Sequence, residues 1–291
     1  MRVDLRSLPW LSLTIFVALV LCAVFAGWIA PHDPEHQSLL ARLTPPAWAS
    51  GGSWKYPFGT DGLGRDVLSN ILFGLRVSLL VGFASVAISI ALGATAGLIA
   101  GYRSGGWFDR IVMPLVDLQL SVPAVLIALA VMAMTGRGLW KLVLVIGIVG
   151  WAQYARLMRA SVLAERERDY VMAARLLGAS EFRVLFRHLL PNALSALLVQ
   201  ASVDVPRAVE LEASLSFLGL GVAVTTPSLG LRVAQGYQFL FGGSWWASVI
   251  PGLALVLLVL AENLIGDWAR DALDPQYRSR SMRSAVVAKD A

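Results

Sequence analysis

Three charged residues at helical spacing lie in an otherwise apolar part of the sequence. Asp204, Arg207 and Glu210 recur every three residues within the stretch 189–220. On a helix they share one face, and Asp204 and Arg207 can pair at i, i+3. Charges in such a segment usually face a bundle interior or a water-filled cavity. The pattern predicts either an ion pair that locks helices or a subunit interface together, or a passage lined by both signs of charge. Asp117 raises the same question in an earlier apolar stretch.

Histidines and carboxylates gather in one short stretch, "PHDPEHQ" at 31–37. Both residue types are common metal ligands. Pro34, however, interrupts any helix that would place His32 and His36 on one face. We therefore interpret the stretch as a surface turn and predict no metal site.

The sequence offers no nucleotide-binding or catalytic constellation. No G-x-x-x-x-G-K-[ST] stretch occurs, because none of Lys55, Lys141 and Lys289 follows a glycine. An enzyme embedded in a membrane would need His, Asp or Cys clustered at bilayer depth, whereas the histidines lie mostly outside the apolar stretches. Cys22 is the only cysteine. We predict no catalytic activity and no cofactor.

The composition is that of an integral membrane protein. Of the 291 residues, 57% are apolar and only 15% are charged, and the mean hydropathy is +0.68. A soluble domain carries nearer a quarter charged residues. The net charge of +5 indicates arginine-rich loops beside a membrane rather than a nucleic-acid partner. We predict an all-α chain with six transmembrane helices, each near the length of about 20 residues that a bilayer requires. The six stretches are 9–30, 77–102, 111–135, 139–158, 189–220 and 245–265.

The arginine distribution predicts the orientation of these spans. Most of the 24 lysine and arginine residues fall on one side if both chain termini are cytoplasmic. Residues 31–75 and about 219–244 then face outward. Within the first of these, 67–75 has an apolar stripe that predicts an amphipathic helix on the outer membrane face, or a lead-in to the second span. Glycines at four-residue spacing in the second span can allow close packing against another helix. They are Gly93, Gly97 and Gly101.

The segment 166–191 is basic and amphipathic and lies between two spans. Asp169 is a candidate helix cap, Gly178 ends the first helix, and Ser180 can cap a second helix. An apolar stripe at helical spacing follows; its members are Phe182, Leu185, Phe186 and Leu189. The pattern predicts a short helix, a turn and a second helix, which either receives a partner surface or rests on anionic lipid.

The spacing within this segment resembles the EAA loop of ATP-binding-cassette importer permeases. An Ala-Ala pair at 173–174, Gly178 and the sequence His188-x-Leu190-Pro191 carry the resemblance, although Met172 stands where that family often has glutamate. Further stretches resemble the C-type permeases of the dipeptide, oligopeptide and nickel group. They are "FGTDGLGRDVLSNILFGLRVSL" at 58–79, "SLSFLGLGV" at 214–222 and "NLIGDWARDALDP" at 263–275.

This resemblance implies the type I importer permease fold, a place in the cytoplasmic (inner) cell membrane and a set of partners. The partners are a homologous B-type permease, two cytoplasmic ATPase subunits, an external solute-binding protein and the lipid bilayer. The loop would contain the coupling helix that docks into the ATPase. Its contact residues would be Ala173, Ala174, Arg175, Gly178, Ala179 and Ser180.

We predict three regions and a transport function. Residues 1–75 form the first helix and an external loop, 76–275 the permease domain, and 276–291 a cytoplasmic tail. The function that the resemblance implies is peptide import, powered by the separate ATPases. The alternative is the same machine carrying nickel or another small solute. A passive channel would not explain the EAA-like loop.

Overall fold

The computed structural model describes residues 10–273, with side chains as far as residue 270. This part is helical apart from its loops and one isolated bridge between Thr60 and Asp66. The predicted tail at 276–291 and both predicted cytoplasmic termini lie outside the described residues. The α-helices are α1 (Trp10–Val24), α2 (Ala26–Ile29), α3 (Val67–Tyr102), α4 (Trp107–Leu120), α5 (Ala124–Thr135), α6 (Leu139–Arg166), α7 (Asp169–Leu176), α8 (Glu181–Arg183), α9 (Leu190–Phe217), α10 (Leu229–Tyr237) and α11 (Trp246–Leu273).

Four helices of the described part are each long and apolar enough to cross a bilayer. They are α3, α6, the run Glu181–Phe217 that ends with α9, and α11 as far as Arg270. The pair α4 and α5 meets the same criterion only together, with a bend of 93° between them. The first predicted span is reduced to α1, an apolar helix of 15 residues. All six predicted stretches are therefore helical, but the described helices supply four or five full spans rather than six.

The bend between α4 and α5 has a local cause. Pro123 is the N-cap of α5, and a proline cannot donate the backbone hydrogen bond that a continuous helix needs. The residue before it, Val122, is pushed out of the helical region for steric reasons. The predicted span 111–135 is consequently broken into two helices.

Helix α3 begins at Val67, earlier than the predicted start at residue 77, so the predicted boundary at 75/76 falls inside a helix. Asp66 caps it by accepting a hydrogen bond of 2.9 Å from the Ser69 N–H. The residues 67–75 are thus the first turns of this helix. Of the two predicted alternatives, the structure has the lead-in to the second span and not the separate surface helix. The polar residues Ser69 and Asn70 in these turns are buried. The loop before α3 covers them, with the His32 N–H donating to Ser69 Oγ at 3.1 Å.

The predicted glycine stripe lies at the most extensive helix contact of the fold, between α3 and α6. A Cβ placed on Gly93 would lie 2.4 Å from the carbonyl oxygen of Trp151, and one on Gly97 would lie 2.3 Å from that of Ala155. A Cβ on Gly101 would lie 2.9 Å from the Cβ of Val162. The prediction of close helix packing at these glycines is confirmed.

The two ends of the bundle are each fastened by polar contacts. At one end, the loop before α3 meets α10 and the start of α11, where Arg65 Nη2 donates to Gln235 Oε1 at 2.8 Å. At the opposite end, Arg159 of α6 donates two hydrogen bonds to Asp109 of α4, at 2.6 and 2.9 Å. The predicted outward segments gather at the first end and the arginine-rich loops at the second.

Candidate functional site

A cavity of about 490 Å³ lies in the bundle beside the middle of α9. Helices α3, α5 and α6 form its other walls, mainly with apolar side chains. A volume of this size falls within the range of small-molecule sites, which combine apolar walls with a few polar groups. The polar residues that line it are Ser85, Ser89, Gln153, Tyr154, Asp204, Arg207, Glu210 and Ser214.

The predicted ion pair between Asp204 and Arg207 is present. Arg207 Nη1 lies 3.1 Å from Asp204 Oδ1, and Gln200 Nε2 donates to both Asp204 oxygens at 3.1 Å. The Asp204 side chain is 12% exposed, whereas that of Arg207 is 59% exposed. Both residues also line the cavity. The pair lies within α9, so it does not by itself join two helices, and it also faces an open space. Whether it holds the assembly together or lines a passage stays a prediction.

Glu210 lies one turn further along α9 and is exposed. Among the described residues its carboxylate has neither an ion-pair partner nor a hydrogen-bond donor, and only its backbone carbonyl is used, by Ser214 Oγ at 2.8 Å. The carboxylate is therefore available to a group that enters the cavity.

Two more cavities adjoin the first one along α9. One of about 670 Å³ lies among α9, α10 and α11 and shares Glu210 and Ser214 with it. Another of about 530 Å³ lies on the opposite side, shares Gln153 and Arg207, and reaches Gln200. The three cavities form a row that follows the exposed face of α9.

Asp117 does not line the central cavity. Its carboxylate pairs with Arg156 of α6, and both side chains are more than half exposed. Arg156 lines the cavity that reaches Gln200. Arg156 lies near the end of the predicted span 139–158. Its pairing with Asp117 of another helix was not predicted from the sequence.

A buried carboxylate near the end of α9 also escaped the sequence reasoning. Glu212 is 0% exposed and accepts hydrogen bonds from Ser78 of α3 at 3.1 Å, from Ser216 at 2.7 Å and from Ser228 at 2.6 Å. Ser228 is also the N-cap of α10. The three hydroxyl groups satisfy a carboxylate that would otherwise be costly to bury. The only sequence signal is the i, i+4 spacing of Glu212 and Ser216.

The segment 166–191 has the predicted helix, turn and second helix. Gly178 has a φ of +82°, which favours glycine, and Ser180 accepts a capping hydrogen bond of 3.4 Å from the Arg183 N–H. Asp169 is the first residue of α7 rather than its cap, which is Arg168. A carboxylate in the first turn still favours the helix, since it faces the positive end of the helix dipole.

The predicted contact residues of this segment are unevenly exposed. Ala173, Arg175 and Ser180 are exposed, whereas Ala174 and Ala179 are half-buried. Ala179 packs against the bundle core. Larger apolar side chains stand out around them, and Leu176 and Leu177 are each 89% exposed.

The predicted apolar stripe is divided. A π-helix, Val184–Leu189, follows α8 and changes the angular spacing of the side chains. Phe182 and Phe186 are exposed, with ring centroids 4.4 Å apart, whereas Leu189 is fully buried. One half of the stripe therefore anchors the segment and the other half is available to a partner.

Tyr170 fastens this segment to the bundle. Its hydroxyl donates to Glu165 Oε2 at 2.6 Å and accepts from Asn192 Nδ2 at 2.7 Å, so it joins the end of α6 to the start of α9. Burial and the hydrogen bond to Glu165 together raise the pKa of Tyr170. The hydroxyl therefore remains protonated at neutral pH and keeps its donor role.

Comparison with known proteins identifies the class of transporter component to which this architecture belongs. Residues 93–279 match the family of the binding-protein-dependent transport system inner membrane component. Residues 6–46 match the N-terminal transmembrane domain of oligopeptide transport permease C. The chain belongs to this family of permeases, and it is a multi-pass membrane protein. The resemblance predicted from the sequence motifs is confirmed.

Two relatives place the chain beside the C-type permeases. It is 44% identical over 268 residues to the di/tripeptide transport system permease protein DppC of Pseudomonas aeruginosa, which covers 92% of this chain and 88% of the relative. It is 45% identical over 265 residues to the dipeptide transport system permease protein DppC of Escherichia coli, covering 91% and 88%.

A solved structure shows the same fold. It is that of the MetNI methionine ABC transporter in inward-facing conformations, with a TM-score of 0.56 and 22% identity. The match covers 70% of this chain and 96% of that one. The predicted importer-permease fold is therefore confirmed.

Proposed function

We propose that this chain is the C-type permease subunit of an importer for short peptides and that its passage follows the exposed face of α9. The observation that carries this proposal is the row of three cavities along α9. Arg207 and Glu210 both line the central cavity, and each of them also lines one of its two neighbours. The termini of a peptide carry one charge of each sign. Arg207 and Glu210 carry the two opposite charges that could pair with them. The similarity to permeases named for dipeptides and di/tripeptides supports the same cargo.

The partners follow from the proposed mechanism. A homologous B-type permease closes the open side of the passage, two ATPase subunits bind at the cytoplasmic end, and a solute-binding protein delivers peptide at the outer end. ATP binding and hydrolysis drive alternating access. The chain itself supplies the passage rather than a catalytic group.

The segment 166–191 is proposed to couple the ATPase to the passage. Its exposed apolar side chains, of which Leu176 and Leu177 are the most exposed, offer a surface that a protein cleft can bury. The turn at Gly178 gives the surface its shape. The residues proposed to contact or shape the ATPase interface are Ala173, Ala174, Arg175, Gly178, Ala179 and Ser180.

Both termini are proposed to be cytoplasmic, since the arginine-rich loops gather at one end of the bundle. In a chain with Cys22 replaced by serine, a cysteine at Ser53 is expected to react with a membrane-impermeant thiol reagent in sealed cells. A cysteine at Ser104 is expected to react only after the cells are opened. Both native serines are exposed, so a difference in labelling reports the side of the membrane on which each residue lies and not its burial. The opposite labelling pattern would invert the topology.

The transport proposal is tested with the complete complex in sealed vesicles that contain ATP. Radiolabelled dialanine, offered outside with the solute-binding protein, is expected to accumulate only when both ATP and the binding protein are present. Accumulation of nickel with no uptake of dialanine would contradict the peptide assignment. Uptake without ATP would indicate a passive channel.

A further inference from the structure

The charges beside the central cavity are not balanced. Asp204 is bound to Arg207 and Gln200, whereas the Glu210 carboxylate is open to the cavity and has no partner among the described residues. The guanidinium of Arg207 contacts only Asp204 there, through Nη1, and is largely exposed. One turn of α9 therefore presents a free carboxylate and a guanidinium with spare N–H groups to the same space.

We propose that Glu210 and Arg207 form a two-point binding site within the membrane, with Glu210 accepting the α-ammonium group of a short peptide and Arg207 the α-carboxylate. This inference rests on the proposed function and adds to it that the permease itself selects zwitterionic peptides. Glu210 is the specificity-determining residue, because its carboxylate is not already engaged.

The dimensions of the site match a short peptide. An extended dipeptide spans at most about 7 Å between its ends. Residues three apart on a helix are separated by about 4.5 Å along the axis, and the flexible arginine side chain extends the reach. The cavity of about 490 Å³ leaves the apolar walls to receive side chains of different shape. A longer peptide in extended form cannot place both termini on these two residues.

The test measures equilibrium binding to the permease–ATPase complex without the solute-binding protein, so that only the membrane site is read. The probes are dialanine and N-acetyl-dialanine, which differ in the ammonium group. In the wild-type complex, acetylation is expected to raise the Kd about tenfold, equivalent to about 1.4 kcal/mol. In Glu210→Gln the two probes are expected to bind within about twofold of each other. The neutral glutamine amide cannot form the charge-assisted hydrogen bond that favours the ammonium group of dialanine. Glu210→Asp is expected to restore part of the preference.

Controls separate this site from general damage and from the transport proposal. Glu35→Gln removes a carboxylate that is exposed on the loop before α3 and is expected to leave the tenfold preference intact. Equal Kd values for both probes in the wild type, an unchanged preference in Glu210→Gln, or no binding of dialanine would each overturn the site. If wild-type vesicles still take up dialanine in those cases, the transport proposal stands and only the two-point site fails.

Discussion

Replacing Gly97 with leucine is expected to prevent stable assembly of the complex. A Cβ at this position would lie 2.3 Å from the Ala155 carbonyl oxygen and 2.8 Å from Met158 Cβ. The first of these is backbone of α6 and cannot rotate away, so the two helices must separate. Overpacking of this kind costs about 1–3 kcal/mol. The cost of Gly97→Leu is expected near the upper end of this range, because the obstacle is backbone and lies in the largest helix contact of the fold.

The measurement is the yield and Tm of purified complex after size-exclusion chromatography. Gly27→Leu is the matched control, because a Cβ at Gly27 of α2 meets nothing within 4 Å. It is expected to give a normal yield and Tm. A Gly97→Leu complex that matches the wild type in both respects would show that the glycine stripe does not set the distance between α3 and α6.

Changing the turn of the coupling segment is expected to interrupt communication between the ATPase and the passage, so that peptide-stimulated ATP hydrolysis and uptake both fall while assembly stays intact. Gly178 has a φ of +82°, and a Cβ there meets no atom within 4 Å. Gly178→Val therefore causes no clash, but a β-branched residue disfavours this backbone conformation by about 1–3 kcal/mol. The strain is relieved by reshaping the turn, which displaces Leu176 and Leu177. Ala174→Trp is expected to act similarly by adding bulk to the same surface.

The readout is ATPase activity of the reconstituted complex with peptide-loaded binding protein, together with dialanine uptake. Both are expected to fall at least about tenfold, the effect of about 1.4 kcal/mol, although the binding protein still docks outside. Gly105→Val is the matched control, since Gly105 has a φ of +79° and open space around it but lies in the loop between α3 and α4. It is expected to preserve coupling.

The competing interpretation of this segment is a lipid anchor. It predicts that Arg183→Gln with Arg187→Gln reduces activity more than Ala174→Trp does, and that the loss depends on the fraction of anionic lipid. Normal coupling in Ala174→Trp and Gly178→Val, alongside such a loss, would contradict the docking role.

The amino-acid sequence by itself determined the features that depend on one helix or one turn. The low charge and long apolar stretches require a membrane protein, because a bilayer fixes both the length and the polarity of what crosses it. The turn at Gly178, the cap at Ser180 and the pairing of Asp204 with Arg207 follow from local geometry. The glycine spacing along α3 is equally local. It predicted a close helix contact but did not indicate that α6 is the partner.

Only the tertiary structure decided how separate helices meet. The pairing of Asp117 with Arg156 and the contact of Glu212 with Ser78 join residues far apart in the chain. Their existence depends on the rotation and tilt of each helix, which helical periodicity leaves free. The same is true of the row of cavities beside α9, because an open space exists only between neighbours whose packing is known. The sequence identified Glu210 as a charged residue of α9. Its carboxylate has no partner because the neighbouring helices place no donor beside it in the described part of the chain, and only the tertiary structure shows this.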